Sequence, residues 1–177
     1  MAVKEILKYP NPILSTPCAK AEFSEVTKQL VQDLKDTLDT AKPIGAGLAA
    51  PQIGISKQVF IARKFLKDPN SPENELHEDL AFINPKIISF SQQKEIDWEG
   101  CLSIPNTYGK VERAKKIKIK AQNEKGERIQ MTATELFARI IQHEMDHLNG
   151  VLFTGKVMGE LVSDKDPTYA GKLDKQG

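Results

Sequence analysis

Residues 132–150 of the chain read TATELFARIIQHEMDHLNG, and this segment predicts the helix around which the protein is built. Thr132 and Glu135 have the spacing of a capping box, and Asn149-Gly150 supplies a C-terminal stop. Between these ends, two histidines and apolar residues recur at helical spacing on one stripe, which consists of Leu136, Ile140, His143 and His147. We therefore expect both histidines on the buried side of the helix.

His143 and His147 predict a metal site. Residues four apart on a helix share a face, so both imidazoles can reach one cation, and Glu144 lies beside it. Catalytic sites commonly use three protein ligands and leave one position for water or substrate. Cys101, in the string EGCLS at 99–103, is the natural third ligand. Together these residues predict a hydrolytic metal centre.

The composition limits the class of protein. With 177 residues, 40% of them hydrophobic, and a formal net charge of +1, the chain fits one domain with a sizeable core and gives no sign of nucleic-acid binding. Its start lacks a signal-like apolar segment, and no apolar run approaches the ~20 residues of a membrane helix. A disulfide between Cys18 and Cys101 would consume the predicted ligand. We expect a monomer in a bacterial cytoplasm, with no membrane partner and no specific nucleic acid.

The remaining patterns predict an α+β fold in which antiparallel β-strands pack around the metal-binding helix. A first helix of roughly four turns should follow Ser24-Glu25, with an apolar stripe of Val26, Leu30, Val31, Leu34 and Leu38. Strand-like segments lie near 59–61, 80–83 and 87–90, and the polar stretch 67–79 is predicted to be a surface loop.

The segment after residue 116 predicts an antiparallel hairpin. Ile117, Ile119 and Ala121 alternate with lysines, and a turn at 123–126 leads to a second strand at 128–131. We expect a single catalytic domain over 1–153. Residues 154–177 are expected to form a polar C-terminal tail or a short extra element.

Three strings resemble the signature motifs of one family, the peptide deformylases. They read GAGLAAPQ at 45–52, EGCLS at 99–103 and QHEMDH at 142–147, in the family's order. The likeness runs from about Val3 to about Phe153. The pattern H-E-x-x-H alone is weak evidence, because it also marks many zinc peptidases. The three strings together are specific.

This resemblance implies an enzyme that removes the N-formyl group from the formyl-methionine of newly synthesised polypeptides and releases formate. It implies that Cys101, His143 and His147 bind one divalent ion, iron(II) in the cell, and that zinc, nickel or cobalt can also occupy the site. The catalytic glutamate falls on Glu144. Gln52 and the backbone amide of Leu102 fall where they would polarise the formyl oxygen, and the reaction itself needs such fixed donors.

The resemblance also implies where the formyl-methionyl peptide binds. Glycines in the first string would let backbone approach the substrate, which suits peptides of any sequence. A pocket for the methionine side chain should form between this string and the metal-binding helix. The residues expected to contact the peptide are Gly45, Ala46, Gly47, Glu99, Gly100, Leu136 and Ile140.

Two residues near this pocket are unusual. Tyr108 stands where some members of the family carry a basic residue. Arg139, one turn before His143, is unexpected beside an apolar pocket, and we expect its stem to pack while its charged head reaches solvent.

Parts of the sequence also fit other functions. A peptidase of the H-E-x-x-H type would cut internal amide bonds, but such sites usually take their third ligand from Glu or His. The chain could instead be an inactive peptide-binding module, but Glu144 is intact and gives no reason to infer that the catalytic activity has been lost. The lysine-rich run 110–120 should be the wet face of a strand, with a transient ribosome contact as the alternative. Cys18 should be a small apolar packing residue, and His77 should be a solvated side chain.

Overall fold

The computed structural model describes residues 2–66 and 76–169. These residues form two α-helices and eight β-strands, with three short 3-10 helices, the first of which precedes the first α-helix. The α-helices are α1 (Glu25–Thr40) and α2 (Glu135–Leu148). The strands are β1 (Gly47–Ala49), β2 (Val59–Leu66), β3 (Leu76–Phe90), β4 (Lys94–Cys101), β5 (Ile104–Ala114), β6 (Lys116–Gln122), β7 (Arg128–Thr134) and β8 (Val157–Ser163). None of the helices in the described ranges is both long and apolar enough to cross a membrane.

The strands form two antiparallel sheets, so the predicted α+β class is confirmed. One sheet has five strands in the order β1-β2-β3-β6-β7, and the other has three in the order β4-β5-β8. Strand β2 is buried on both faces: Phe60 packs in the cluster that includes α2, whereas Val59 and Ile61 pack in the cluster that includes α1. The larger sheet therefore lies between the two helices.

Helix α1 is close to the sequence prediction. Ser24 is its N-cap and accepts a hydrogen bond from the Thr27 amide, which satisfies one of the free donors at the helix start. Leu30, Val31, Leu34 and Leu38 are buried as expected. Val26 was wrongly placed on the apolar stripe, because its side chain is 79% exposed in the first turn.

Helix α2 begins later than its capping signal predicted. Thr132 lies in β7 opposite Lys118, so it cannot cap a helix, and Thr134 is the N-cap without a side-chain hydrogen bond. Glu135 has φ +55°, a left-handed conformation that turns the chain sharply from β7 into α2. The predicted C-terminal end holds, since α2 stops at Leu148 and Gly150 has φ +72°.

Three further expectations need correction or refinement. The segments near 80–83 and 87–90 belong to one strand, β3, which contains register shifts where it pairs with β6. The predicted loop at 67–79 ends early, because β3 begins at Leu76; its part at 67–75 lies outside the described residues. The segment after Phe153 contains β8, which pairs with β5. Of the two expected alternatives, a polar tail or a short extra element, the described part of this segment therefore forms the extra element. The predicted hairpin β6–β7 is confirmed.

Candidate metal centre

Three predicted ligands converge although they come from two elements. Cys101 ends β4, while His143 and His147 lie one turn apart on α2. Their ligand atoms all lie within 4.8 Å of one another, and Cys101 Sγ is 3.3 Å from His147 Nε2. All three side chains are buried. The thiol and the two imidazoles therefore form one enclosed cluster of soft and borderline ligands.

Several buried polar atoms at this cluster have no hydrogen-bond partner among the described residues. Within the described ranges, no hydrogen bond is made by His143 Nε2, by His147 Nδ1 or by either carboxylate oxygen of Glu144, all of which are buried. Buried polar atoms without a partner are uncommon and indicate an ion, a water or a functional role. One sulfur and two imidazoles suit a divalent transition ion. The residues present therefore fit a metal.

Glu99 orients the first histidine. Its carboxylate is 1% exposed, and its Oε1 lies 2.9 Å from His143 Nδ1. Burial opposes ionisation of Glu99, but hydrogen bonds from Arg113 and His143 outweigh it and hold its pKa well below the usual range. An ionised carboxylate can only accept, so His143 Nδ1 carries the proton and donates it. The lone pair of His143 Nε2 is then directed at the ligand cluster.

Two arginines fix Glu99 in turn. Arg113 donates from Nε and Nη2 to the two carboxylate oxygens, each at 2.8 Å, and from Nη1 to Asp146 at 2.6 Å. Arg139 donates to Glu99 at 2.8 Å and to the carbonyls of Val111 and Glu95. The expectation that the head of Arg139 reaches solvent was wrong, because this ion pair holds it in the interior.

Burial sets the intrinsic protonation states of Cys101 and His147. Desolvation, together with the nearby charge of Glu144, raises the pKa of Cys101 to about 12, although hydrogen bonds from Ser103 act in the opposite direction. Burial, together with the electrostatic effects of the neighbouring His143 and Arg113, holds the pKa of His147 well below its usual range. At neutral pH, Cys101 is therefore a protonated thiol and His147 a neutral imidazole.

Glu144 is fully buried beside the ligands. Burial, reinforced by the negative charges of Glu99 and Asp146, raises its pKa well above the usual range, and Arg113 opposes this. Gly47 makes room for it: a Cβ built on Gly47 would lie 2.5 Å from Glu144 Oε1 and 2.8 Å from Glu144 Cδ. A side chain at position 47 would therefore collide with this carboxylate.

Gln52 places a neutral donor at the same site. Its Oε1 accepts from the Ala49 amide at 2.9 Å, which fixes the orientation of the side-chain amide. Its Nε2 then faces Cys101 Sγ at 3.6 Å and Ser103 Oγ at 3.1 Å. Leu102 follows Cys101 directly, and its carbonyl accepts a hydrogen bond from Lys8 Nζ at 2.7 Å. The N-terminal segment thus fixes the chain just after the predicted sulfur ligand.

Two sheet edges meet at this cluster. Strands β1 and β4 are outer strands of their respective sheets as described. A Cβ at Gly45, just before β1, would lie 2.7 Å from Leu102 Cδ1, so the start of β1 lies against the end of β4. Outer strands keep unpaired amides and carbonyls, which can pair with an extended peptide.

A second cluster of ligand-type side chains, Asp39, His77 and Asp79, does not resemble a metal site. Arg63 already occupies both carboxylates: it bonds to Asp79 at 2.8 Å and to Asp39 at 2.5 Å. His77 is exposed, as the sequence predicted.

Comparison with known proteins identifies the family. The family model described as "Polypeptide deformylase" matches residues 3–161. The chain belongs to the polypeptide deformylase family. "Peptide deformylase 1" of Bacillus cereus is 44% identical over 158 residues, covering 89% of this chain and 94% of that protein. "Peptide deformylase" of Acidobacterium capsulatum is 42% identical over 158 residues, covering 89% and 88%.

Solved deformylase structures share the fold. The class I type b peptide deformylase of Acinetobacter baumannii, crystallised with Met-Ala-Ser, superposes with a TM-score of 0.78 at 35% identity, covering 88% of this chain and 99% of that one. The Thermotoga maritima peptide deformylase has a TM-score of 0.76 at 33% identity, covering 90% and 100%. This chain is accordingly a hydrolase of the deformylase type, which removes the N-formyl group of formyl-methionyl polypeptides.

The predicted deformylase site residues fall into two groups. Those brought to the cluster are Gln52, Cys101, Leu102, His143, Glu144 and His147, with Gly45, Ala46, Gly47, Glu99, Gly100 and Ile140 close by in β1, β4, α2 or the residues that adjoin them. Leu136 lies at the start of α2 and is 39% exposed. Sequence reasoning missed Lys8, Ser103 and Arg113. The string EGCLS contained Ser103, but no local pattern indicated the two basic partners.

Proposed function

We propose that Cys101, His143 and His147 hold one divalent ion and that this chain deformylates N-formylmethionyl nascent peptides there. The observation that carries the proposal is the convergence of the three ligand atoms within 4.8 Å, beside buried atoms of His143 and Glu144 that lack a partner in the described ranges. When bound, the ion supplies Lewis acidity, which lowers the pKa of water at the site and polarises a carbonyl oxygen.

Glu144 acts as general base and then as general acid. Its buried carboxylate has no competing hydrogen bond among the described residues, so it can take a proton from water and pass it to the leaving amine. Its raised pKa reflects desolvation, and a neighbouring cation would favour the charged form. Gly47 keeps the space in which this carboxylate works.

Gln52 and the backbone amide of Leu102 stabilise the oxyanion. Because Gln52 Oε1 is occupied by the Ala49 amide, the donor end of the side chain faces the cluster. A fixed neutral donor costs no reorganisation during the reaction, and losing one such donor costs about 10²–10³-fold in rate.

The peptide lies as an extended strand between the outer edges of β1 and β4. Main-chain pairing with Gly45 to Gly47 and with Glu99 and Gly100 accepts any sequence. The methionine side chain then points towards α2, where Ala46 and Ile140 are buried and Leu136 lies at the rim. Glu99 contributes by orienting His143 at the wall of this pocket.

Several wider features belong to the same proposal. Iron(II) is the physiological ion that the family resemblance implies, and a thiolate with two imidazoles is compatible with iron as well as with zinc, nickel or cobalt. Helix α2 is the central element, because its residues bond to β4 and β5 on one side and pack on the larger sheet on the other. We place the chain in a bacterial cytoplasm as a monomer. The exposed lysines of β6, Lys116, Lys118 and Lys120, make no ion pair within the described residues and suit a transient ribosome contact.

One assay separates this function from its rivals. Anaerobically prepared protein is offered formyl-Met-Ala-Ser, acetyl-Met-Ala-Ser and a longer internal peptide, and formate and new amino groups are measured. Formate from the first peptide alone supports deformylation. Cleavage within the longer peptide supports a peptidase. If the protein retains its metal but releases no product from any of the three peptides, a binding module is supported. Glu144→Ala should keep its metal and lose turnover by orders of magnitude; a near-normal rate would remove Glu144 from the mechanism.

A further inference from the structure

The hairpin turn at Leu102 and Ser103 carries one of the two groups that are proposed to stabilise the oxyanion, the Leu102 amide. Cys101 pairs with Ile104, so these two residues alone connect β4 to β5. Two-residue hairpin turns usually have a positive φ at one or both positions, because only then does the turn match the twist of the strands. Neither Leu102 nor Ser103 has a positive φ, and the pairing of β4 with β5 shifts register just before Cys101. The backbone conformation of this turn is therefore not one that favours a hairpin by itself.

The N-terminal segment supplies contacts that hold the turn. Lys8 Nζ donates a hydrogen bond to the Leu102 carbonyl at 2.7 Å, and the Tyr9 amide donates one to the Ser103 carbonyl at 2.9 Å. Leu102 is 6% exposed and Ser103 is fully buried, whereas Lys8 lies at the surface and reaches in. A hydrogen bond from an ammonium group is roughly twice as strong as one between neutral groups. Both carbonyls of the turn are therefore bonded to residues 8–9, one of them through a charged donor.

The same segment also bonds to the second oxyanion group, Gln52. The Leu7 amide donates to the Gln52 carbonyl at 2.8 Å. The side chain of Gln52 in turn donates from Nε2 to Ser103 Oγ at 3.1 Å, and both residues are fully buried. Because Gln52 and the turn come from different parts of the chain, a segment that bonds to both fixes how they lie relative to each other.

We propose that Lys8 is a positioning residue for deformylation: its bond to the Leu102 carbonyl holds the turn so that the Leu102 amide and Gln52 point at one oxyanion. This inference rests on the proposed function, because it uses the oxyanion groups named there. Loss of an oxyanion donor costs about 10²–10³-fold in rate. Lys8 lies at the surface, so water can partly replace its bond, and we expect a smaller loss. The oxyanion exists only during the reaction, so the loss should appear in kcat and not in KM.

Lys8→Met tests the proposal in the metal-loaded full-length chain, because methionine keeps an unbranched side chain without donors. Its kcat for formyl-Met-Ala-Ser should fall by about five- to twentyfold with KM nearly unchanged. Lys8→Arg keeps a charged donor and should recover most of the rate. Lys4→Met is the matched control, since Lys4 also lies in the N-terminal segment but its Nζ pairs with Asp33, 3.6 Å away. Its kcat should equal that of the wild type. A wild-type kcat in Lys8→Met, a loss confined to KM, or an equal loss in Lys8→Arg overturns the proposal.

Hydrogen exchange tests the same contact without turnover. In the zinc-loaded full-length chain, the backbone amides of residues 101–104 should exchange about three- to tenfold faster in Lys8→Met than in the wild type, because the turn opens locally more often. Exchange in β6, on the larger sheet, should stay unchanged, which separates a loosened turn from a general loss of stability. Unchanged exchange at 101–104, or the same acceleration in β6, contradicts the proposal. If the wild type releases no formate, the proposed function fails, whereas the exchange difference still decides whether Lys8 holds the turn.

Discussion

Gly47→Ala tests the claim that a missing side chain makes space for the general base. The new Cβ would lie 2.5 Å from Glu144 Oε1, whereas ordinary contact needs about 3.4 Å, so the carboxylate must move by about 0.9 Å. Glu144 is fully buried, so this shift takes place inside the packed interior. A misplacement of ~1 Å at a reacting group can cost about 10²-fold, so we expect kcat/KM for formyl-Met-Ala-Ser to fall by about two orders of magnitude. Metal content should be unchanged, since Gly47 is not a ligand.

The same substitution should also destabilise the fold, by about 1–3 kcal/mol for an overpacked core. Gly155→Ala is the matched control, because a Cβ there meets nothing within 4 Å. In a Glu144→Ala background the added methyl group has space, so the loss of unfolding free energy caused by Gly47→Ala should largely disappear. Denaturant unfolding measures both differences. Wild-type activity in Gly47→Ala, or an equal stability loss in both backgrounds, would refute the reasoning.

Two further predictions concern protonation and charge. Glu99→Gln should lower the free energy of unfolding by about 3–5 kcal/mol at pH 7, as breaking a buried ion pair does. Because the pKa of Glu99 is depressed in the folded protein, its carboxylate stabilises the fold fully above its unfolded-state pKa of about 4.3, and this stabilisation is lost as the pH falls towards the folded pKa. Unfolding curves measured from pH 7 to pH 3 should therefore show the stabilities of the two proteins converging. A constant difference between them would contradict this. Since the pKa of Cys101 is raised to about 12, the thiol must release a proton when it binds a metal as a thiolate, and the apparent metal affinity should rise at least tenfold per pH unit around neutrality. Calorimetry in buffers of different ionisation enthalpy measures the proton release. Metal binding that does not depend on pH would exclude thiolate ligation.

The fold could be predicted where local patterns act alone. The apolar stripe and Ser24 cap gave α1, and the Lys–Ile alternation gave the β6–β7 hairpin. Thr132 shows the limit of such signals: its capping spacing was genuine, but pairing with Lys118 in the sheet overrode it. Strand β8 was missed as a definite element because it is short, largely exposed and held mainly by its pairing with β5.

The metal ligands of the site could be predicted from the sequence, but the side chains that hold them in place could not. The spacing within two short sequence motifs indicates the chemistry of Cys101, His143, Glu144 and His147. Arg113 is 14 residues from Glu99, and Arg139 is 40 residues from it, so their ion pairs depend on how β4, β5 and α2 pack. The close approach of Gly47 to Glu144 likewise exists only after folding.

The central claim is that one sulfur and two imidazoles hold a single divalent ion. X-ray absorption at the metal edge of anaerobically prepared protein measures this most directly. The account predicts one metal per chain with one sulfur neighbour and two nitrogen neighbours, at about 2.3 Å and 2.0–2.1 Å for a zinc-loaded sample, and loss of the sulfur neighbour in Cys101→Ser. A spectrum without sulfur in the wild-type protein would contradict it.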